Sequence, residues 1–99
     1  MEAILEGKAV EPGASVYVRT KRLKAVARGN PRIGQDLCVV PAEVLSITFE
    51  RVENGKLSWS GTLFADIPVD GAAKHDKTIR RILAFTPDEI SWTQEALEK

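Results

Sequence analysis

Val44-Leu45-Ser46-Ile47-Thr48-Phe49-Glu50-Arg51-Val52-Glu53-Asn54-Gly55-Lys56-Leu57-Ser58-Trp59-Ser60-Gly61-Thr62-Leu63-Phe64-Ala65-Asp66-Ile67 is the stretch whose reading decides the fold. Asn54-Gly55 is a strong hairpin signal, and the loop length around it sets the register. A two-residue loop pairs Glu53 with Lys56 and scatters the apolar residues. Leu45, Ile47 and Phe49 then lie on one face and Leu57, Trp59 and Leu63 on the other. A three-residue loop, with Gly55 left-handed in a bulge, pairs Val52 with Lys56. Phe49 then faces Trp59, Ile47 faces Gly61 and Leu45 faces Leu63, while Ser46, Thr48 and Glu50 meet Thr62, Ser60 and Ser58 on a polar side. A one-residue slip flips every side chain, so the burial pattern selects the bulged turn.

Working outward, Ala3–Val10 has strand character broken by Gly7, and Glu11-Pro12-Gly13 is a turn leading into alternation over Ser15–Arg19. These two segments read as a second hairpin. Thr20–Arg28 changes period: Leu23, Val26 and Ala27 fall at helical spacing, Thr20 stands as N-cap and Gly29 as C-cap glycine. A short basic helix is the reading, with a strand and a tight turn at Lys21-Arg22 as the alternative. Leu37–Val40 reads as a short buried strand ended by Pro41, and Pro68–Asp76 as a surface loop. Thr78–Phe85 fits strand alternation, with Arg81 among Ile79, Leu83 and Phe85; helical spacing would instead group Ile79, Ile82 and Leu83. Strand is favoured because Pro87 biases Thr86 away from helix. Thr86-Pro87-Asp88-Glu89 is a capping box for a helix to Leu97, with a strand through Ile90 and Trp92 as the alternative.

The expectation is an α+β fold in a single domain over residues 1–99. It has a mainly antiparallel twisted sheet of five to six strands around a central bulged hairpin, one short basic helix and a C-terminal helix. The expected core is Leu45, Ile47, Phe49, Leu57, Trp59, Leu63, Ile67, Val16, Val18, Val39 and Leu83.

Lys plus Arg and Asp plus Glu are 14 each, so net charge singles out no partner. One cysteine excludes an internal disulfide. The first residues lack a signal-peptide pattern, and no apolar run reaches the length of a membrane span, so a soluble cytoplasmic chain is expected. The charge is uneven, however. Arg19, Lys21, Arg22, Lys24, Arg28 and Arg32 lie in a stretch without acids, and on a helix Lys21, Lys24 and Arg28 share one face. Arg19, Lys21, Lys24, Arg28 and Arg32 are therefore the candidate ligand-binding residues, suited to a phosphate backbone or another polyanion. A second basic group, Lys74, His75, Lys77, Arg80 and Arg81, strengthens that site if the fold brings the two together.

Arg28-Gly29-Asn30-Pro31-Arg32 has an R-x-x-x-R spacing, and Ser58-Trp59-Ser60-Gly61 an S-x-x-G. The pair resembles the signature of PilZ domains, which implies cyclic di-GMP held by Arg28 and Arg32. The chain has Lys56 where that signature carries Asp or Asn, which removes one ligand contact.

Catalytic chemistry has little to work with. Cys38 sits in an apolar run and reads as a small core residue, and His75 in a polar loop. A Cys38–His75 dyad would lack an orienting third group. Asp66 and Asp70 match no calcium loop and read as turn caps, and no P-loop or dinucleotide fingerprint is present. The leading expectation is a small non-catalytic module without cofactor or metal. It binds a protein partner or assembles with itself through the hydroxyl face Ser46, Thr48, Ser58, Ser60 and Thr62 or an adjacent edge. A nucleic-acid or phosphate-ligand module is the alternative, and an enzyme the least favoured.

Overall fold

The computed structural model describes residues 2–71 and 77–98. β1 (Ala3–Leu5) and β2 (Lys8–Val10) form a small antiparallel hairpin. Five further strands form one sheet: β3 (Ser15–Lys24), β4 (Arg32–Arg51), β5 (Leu57–Asp70), β6 (Lys77–Phe85) and β7 (Ile90–Ser91). Their order is β6-β5-β4-β3-β7, antiparallel except for a short parallel pairing of β3 with β5. Among the described residues, helix is confined to a 3-10 turn at Pro87–Glu89 and a single turn, α1 (Gln94–Leu97). The fold is thus mostly antiparallel β with little helix.

The predicted bulged turn and its register hold through the first half of the hairpin. Gly55 is left-handed (φ 79°), the Val52 N–H donates to the Lys56 carbonyl at 2.9 Å, and Phe49 faces Trp59 and Ile47 faces Gly61. Beyond Ser46 the register shifts: Val44, not Leu45, stands opposite Leu63. Leu45 is the extra residue of a β-bulge, and it is exposed. The bulge reverses the inward parity of β4, so Val44, Ala42 and Val40 become buried in place of Leu45. Gly61 permits it, since a Cβ there would lie 2.1 Å from the Ser46 carbonyl oxygen and 2.9 Å from the Phe85 ring.

Past Ala42↔Ala65, β4 and β5 diverge, while β3 runs along the opposite edge of β4. It starts where the Gly13 N–H donates to the Val44 carbonyl and the Val44 N–H to the Ala14 carbonyl, at 2.7 and 2.9 Å. It then follows β4 from Glu43 down to Arg32 and meets the end of β5 at Leu23↔Val69 and Lys24↔Asp70. The strand Leu37–Val40 therefore continues through Pro41 to Arg51. Val44 directs its N–H to the β3 side, so alternation turns Pro41 to the side β5 has already left, where no N–H is needed.

The inward row is Val16, Val18, Leu23, Val40, Ala42, Val44, Leu63, Ala65, Ile67, Val69 and Phe85, with Ile90 and the first hairpin's Ala3, Leu5 and Val10 packed on it. Of the expected core, Val16, Val18, Leu63 and Ile67 are buried. Ile47, Phe49, Trp59 and Leu83 pack from its half-buried margin. Val39 is half-buried outside the cluster, and Leu45 and Leu57 are exposed.

Three further expectations change. Ala3–Val10 pairs with itself rather than with Ser15–Arg19, turning at Glu6 and Gly7, both at positive φ (50° and 85°). Thr20–Arg28 is no helix: β3 runs to Lys24, because Leu23 is buried with a strand on either side, and 25–31 is irregular. The loop expected at Pro68–Asp76 begins later, since β5 extends to Asp70; the rest lies largely outside the described residues.

Strand is found for Lys77–Phe85, as alternation favoured. The capping box forms, with the Thr86 N–H donating to Glu89 Oε1 at 2.9 Å, but the helix stops after one 3-10 turn. Ile90 goes extended to pair with Val18 and close part of β3's second edge. Trp92 is then held by its indole N–H on the Leu5 carbonyl at 2.6 Å, and Glu6 accepts from the Ser91 hydroxyl at 2.6 Å and the Trp92 N–H at 3.1 Å. Those two donors hold the Glu6 carboxyl below its usual pKa.

Substitution separates the two kinds of glycine in the hairpin. Gly55→Ala meets open space and should cost about 1 kcal/mol from its backbone conformation alone. Gly61→Ala must part β4 from β5 or displace Phe85, and should cost about 3 kcal/mol or more. Urea unfolding of both variants checks this; equal losses would contradict the close approach at Gly61.

Candidate functional site

The basic segment, being strand and loop, does not present one charged face. Arg22 is committed to Asp70, with Nε 3.0 Å from both carboxylate oxygens and an Nη2–Oδ1 distance of 2.9 Å. This pair sits where β3 and β5 run parallel, beside the Ala25 N–H to Asp70 carbonyl bond at 2.9 Å. Lys24 and Arg32 are paired across β3 and β4 and share an open hollow with Asp36 and Asp70. Arg28 lies on the exposed 25–31 connection. Arg19 and Lys21 go elsewhere, to a recess they share with Arg81 of β6. Arg19 and Lys21 of the first basic group and Arg81 of the second are thereby brought together, a convergence that sequence order alone does not reveal. Lys74 and His75 lie outside the described residues, and Arg80 is drawn to Asp66 at 3.1 Å.

The two halves of the PilZ-like signature are not brought together. Arg32 starts β4, whereas Ser58–Gly61 pair with Ile47–Glu50, near the other end of that strand. Asp66 and Asp70 serve ion pairs rather than turn caps. Among the described residues no group of His, Cys, Asp and Glu is placed to hold a metal ion. Burial pushes the Cys38 thiol up from its ordinary pKa, away from thiolate reactivity. Among the same residues, no helix is long and apolar enough to cross a membrane.

The most distinctive surface is the distal hairpin. The molecule measures 49 × 26 × 24 Å with a radius of gyration of 15.1 Å, against about 13 Å for a compact chain of this length. β3 leaves β4 at Val44 and β6 leaves β5 at Gly61, so Ser46–Arg51 and Leu57–Ser60 project as a two-stranded arm. Counting back from the bonded Val52–Lys56 pair, Glu50, Thr48 and Ser46 turn their backbone groups to β5. Ile47, Phe49 and Arg51 turn theirs outward, where no strand partner stands among the described residues.

The arm has two unlike faces. One carries Ile47, Phe49, Trp59 and Leu57. Trp59 is anchored edge-on against Phe85 at 6.2 Å between centroids, and Leu57 is 47% exposed near the tip. The other is the expected hydroxyl face, on which Ser46 and Thr62 hydrogen-bond at 2.7 Å. Both faces and an adjacent edge are expected from the sequence, but not which edge is open. Its only signal was that β4 outruns the strands beside it.

The Arg22–Asp70 pair gives a pH test of the closure. The Arg22 guanidinium holds the Asp70 carboxyl below its usual pKa. A depressed carboxylate contributes stability that is present above the unfolded value of about 3.9 and is lost as pH falls through the folded value. Asp70→Asn removes that contribution. Its melting temperature should lie below that of the unaltered chain by a constant gap near neutrality, and the gap should narrow below about pH 4. A gap independent of pH down to acid unfolding would show that the ion pair does not support the closure.

Comparison with protein-family models, with curated proteins and with solved structures finds no match to this chain.

Proposed function

We propose that the chain is a non-catalytic assembly module that pairs with a second copy of itself through the β4 edge of its projecting arm. The observation that carries this is the open edge at Ile47, Phe49 and Arg51, continuous with a half-open apolar face. Soluble proteins usually blunt such edges with lysine, proline or a covering element. Between Leu45 and Phe49 this edge has neither charge nor proline.

Self-pairing is favoured by register. An antiparallel arrangement centred on Thr48 sets Ile47 of each copy opposite Phe49 of the other, and both residues already turn their backbone groups outward. Ser46 then meets Glu50, a hydroxyl against a carboxylate rather than two like charges. The apolar faces of both arms fall on one side and form a wider strip, as a two-fold interface requires. Glu50 and Glu53 balance Arg51 and Lys56, so two arms approach without net repulsion.

Sedimentation velocity between about 1 and 100 µM should show a monomer–dimer equilibrium with micromolar Kd, as suits a small interface. The double variant Arg51→Glu, Lys56→Glu alters exposed residues only and makes each arm acidic. It should remain folded and become monomeric throughout that range. Monomer alone for the unaltered chain, or undiminished association of the variant, removes the proposal.

A further inference from the structure

β3 pairs with β7 at Tyr17 and Val18 and with β5 at Leu23 and Lys24, so over the intervening Arg19–Arg22 its second edge has no strand beside it among the described residues. The opening is a recess of about 280 Å³. Leu23 and Ile67, both buried, and Leu83 give it an apolar wall, while Arg19, Lys21 and Arg81 supply positive charge.

Arg81 is the telling residue. It occupies an inward position on β6, in the row of Ile79, Leu83 and Phe85, where the sheet otherwise places apolar side chains. Arg81 and Arg19 are half-buried. The ion pairs in contact among the described residues are Arg22–Asp70 and Arg80–Asp66, so Arg19, Lys21 and Arg81 make no salt bridge there; Arg19 feels Asp88 only at longer range. Half-burying a cation without a partner is unfavourable, and an anion in the recess offsets it. Glu89 also borders the recess, but its Oε1 accepts from the Thr86 N–H at 2.9 Å and the Thr86 hydroxyl at 3.0 Å. The Asp88 carboxylate likewise takes the Thr86 hydroxyl. Both acids are oriented by the turn and make no contact ion pair with the recess cations, although the Thr86 hydroxyl first, and Arg19 after it, help to hold the Asp88 carboxyl below its usual pKa.

A volume of about 280 Å³ lies at the low end of small-molecule sites. Cations gathered around one small recess suit a single compact dianion rather than the spaced phosphates of a polymer. We propose that this recess binds a small phosphate monoester with an apolar organic part. Arg19, Lys21 and Arg81 hold the phosphate, and Leu23, Ile67 and Leu83 hold the organic group. The site is separate from the arm and does not depend on self-association.

Amide chemical-shift titrations with phenyl phosphate, inorganic phosphate and benzyl alcohol test this at physiological salt. Phenyl phosphate should give saturable shifts confined to Arg19–Leu23 and Arg80–Leu83. Inorganic phosphate should bind roughly tenfold more weakly for want of the buried ring, and benzyl alcohol should not bind measurably. Arg81→Leu completes the apolar row of β6 and is expected to fold; it should weaken phenyl phosphate roughly 10- to 100-fold. Arg19→Gln, which leaves the inward row untouched, should act in the same direction. Arg28→Gln, on the exposed connection, should change nothing. Several results would overturn the proposal: no saturation by about 10 mM, equal affinity for inorganic phosphate, undiminished binding in Arg81→Leu and Arg19→Gln, or equal losses in Arg28→Gln.

Discussion

The contact on which the rest depends is the seating of the Ser46 carbonyl against Gly61. Only a residue without Cβ lets β4 approach β5 so closely, and the approach stands beside the Leu45 bulge. That single extra residue puts β4 in two phases. Above it, Ile47 and Phe49 pair with Gly61 and Trp59 in the arm; below it, Val44, Ala42 and Val40 turn into the core. Without the bulge, one inward row running the length of β4 would bring Leu45 and Glu43 into the core in place of Val44 and Ala42. Burial of a carboxylate without a partner would oppose that arrangement.

How far the sequence could be read follows from which constraints are local. The Asn54-Gly55 turn, the pairing from Val52 to Ser46 and the strand at Lys77–Phe85 are set by nearest neighbours and alternation, and they were legible. The bulge was not, although the parity change between Val40-Ala42-Val44 and Ile47-Phe49 is its trace. A stretch of β4 was mistaken for two elements because Pro41 looks like a terminator until the departure of β5 is known. The Thr20–Arg28 segment has helical spacing, but strand edges on both sides of Leu23 outweigh a weak local preference. At Thr86–Glu89 the capping box was read correctly, yet a cap starts a helix without sustaining it. Ile90 gains more by pairing with Val18 than by a further turn.

The candidate residues show the same division. Arg19, Lys21, Lys24, Arg28 and Arg32 were found by composition, but a strand distributes its charges differently from a helix. Arg22 was absorbed by Asp70, a residue 48 positions away. Arg81 joined Arg19 because β6 lies beyond β5, which no local pattern announces.

Arm and recess have a common origin in strand lengths that do not match. β5 pairs with β4 from Leu57 to Ala65, touches β3 only at Val69 and Asp70, and pairs with β6 from Gly61 to Val69. A 20-residue β4 beside a 10-residue β3 leaves backbone uncovered at its distal end, which is the arm's edge. At the other end, β3 stays paired with β4 to Lys24 while its second edge meets β5 only at Leu23 and Lys24, and β7 is only two residues long. The edge of β3 between these contacts stays open, which is the recess. Longer β3 and β7 strands would seal both openings with ordinary ladder hydrogen bonds. Where β3 begins and how short β7 is therefore decide where the molecule leaves backbone and charge available to something outside itself.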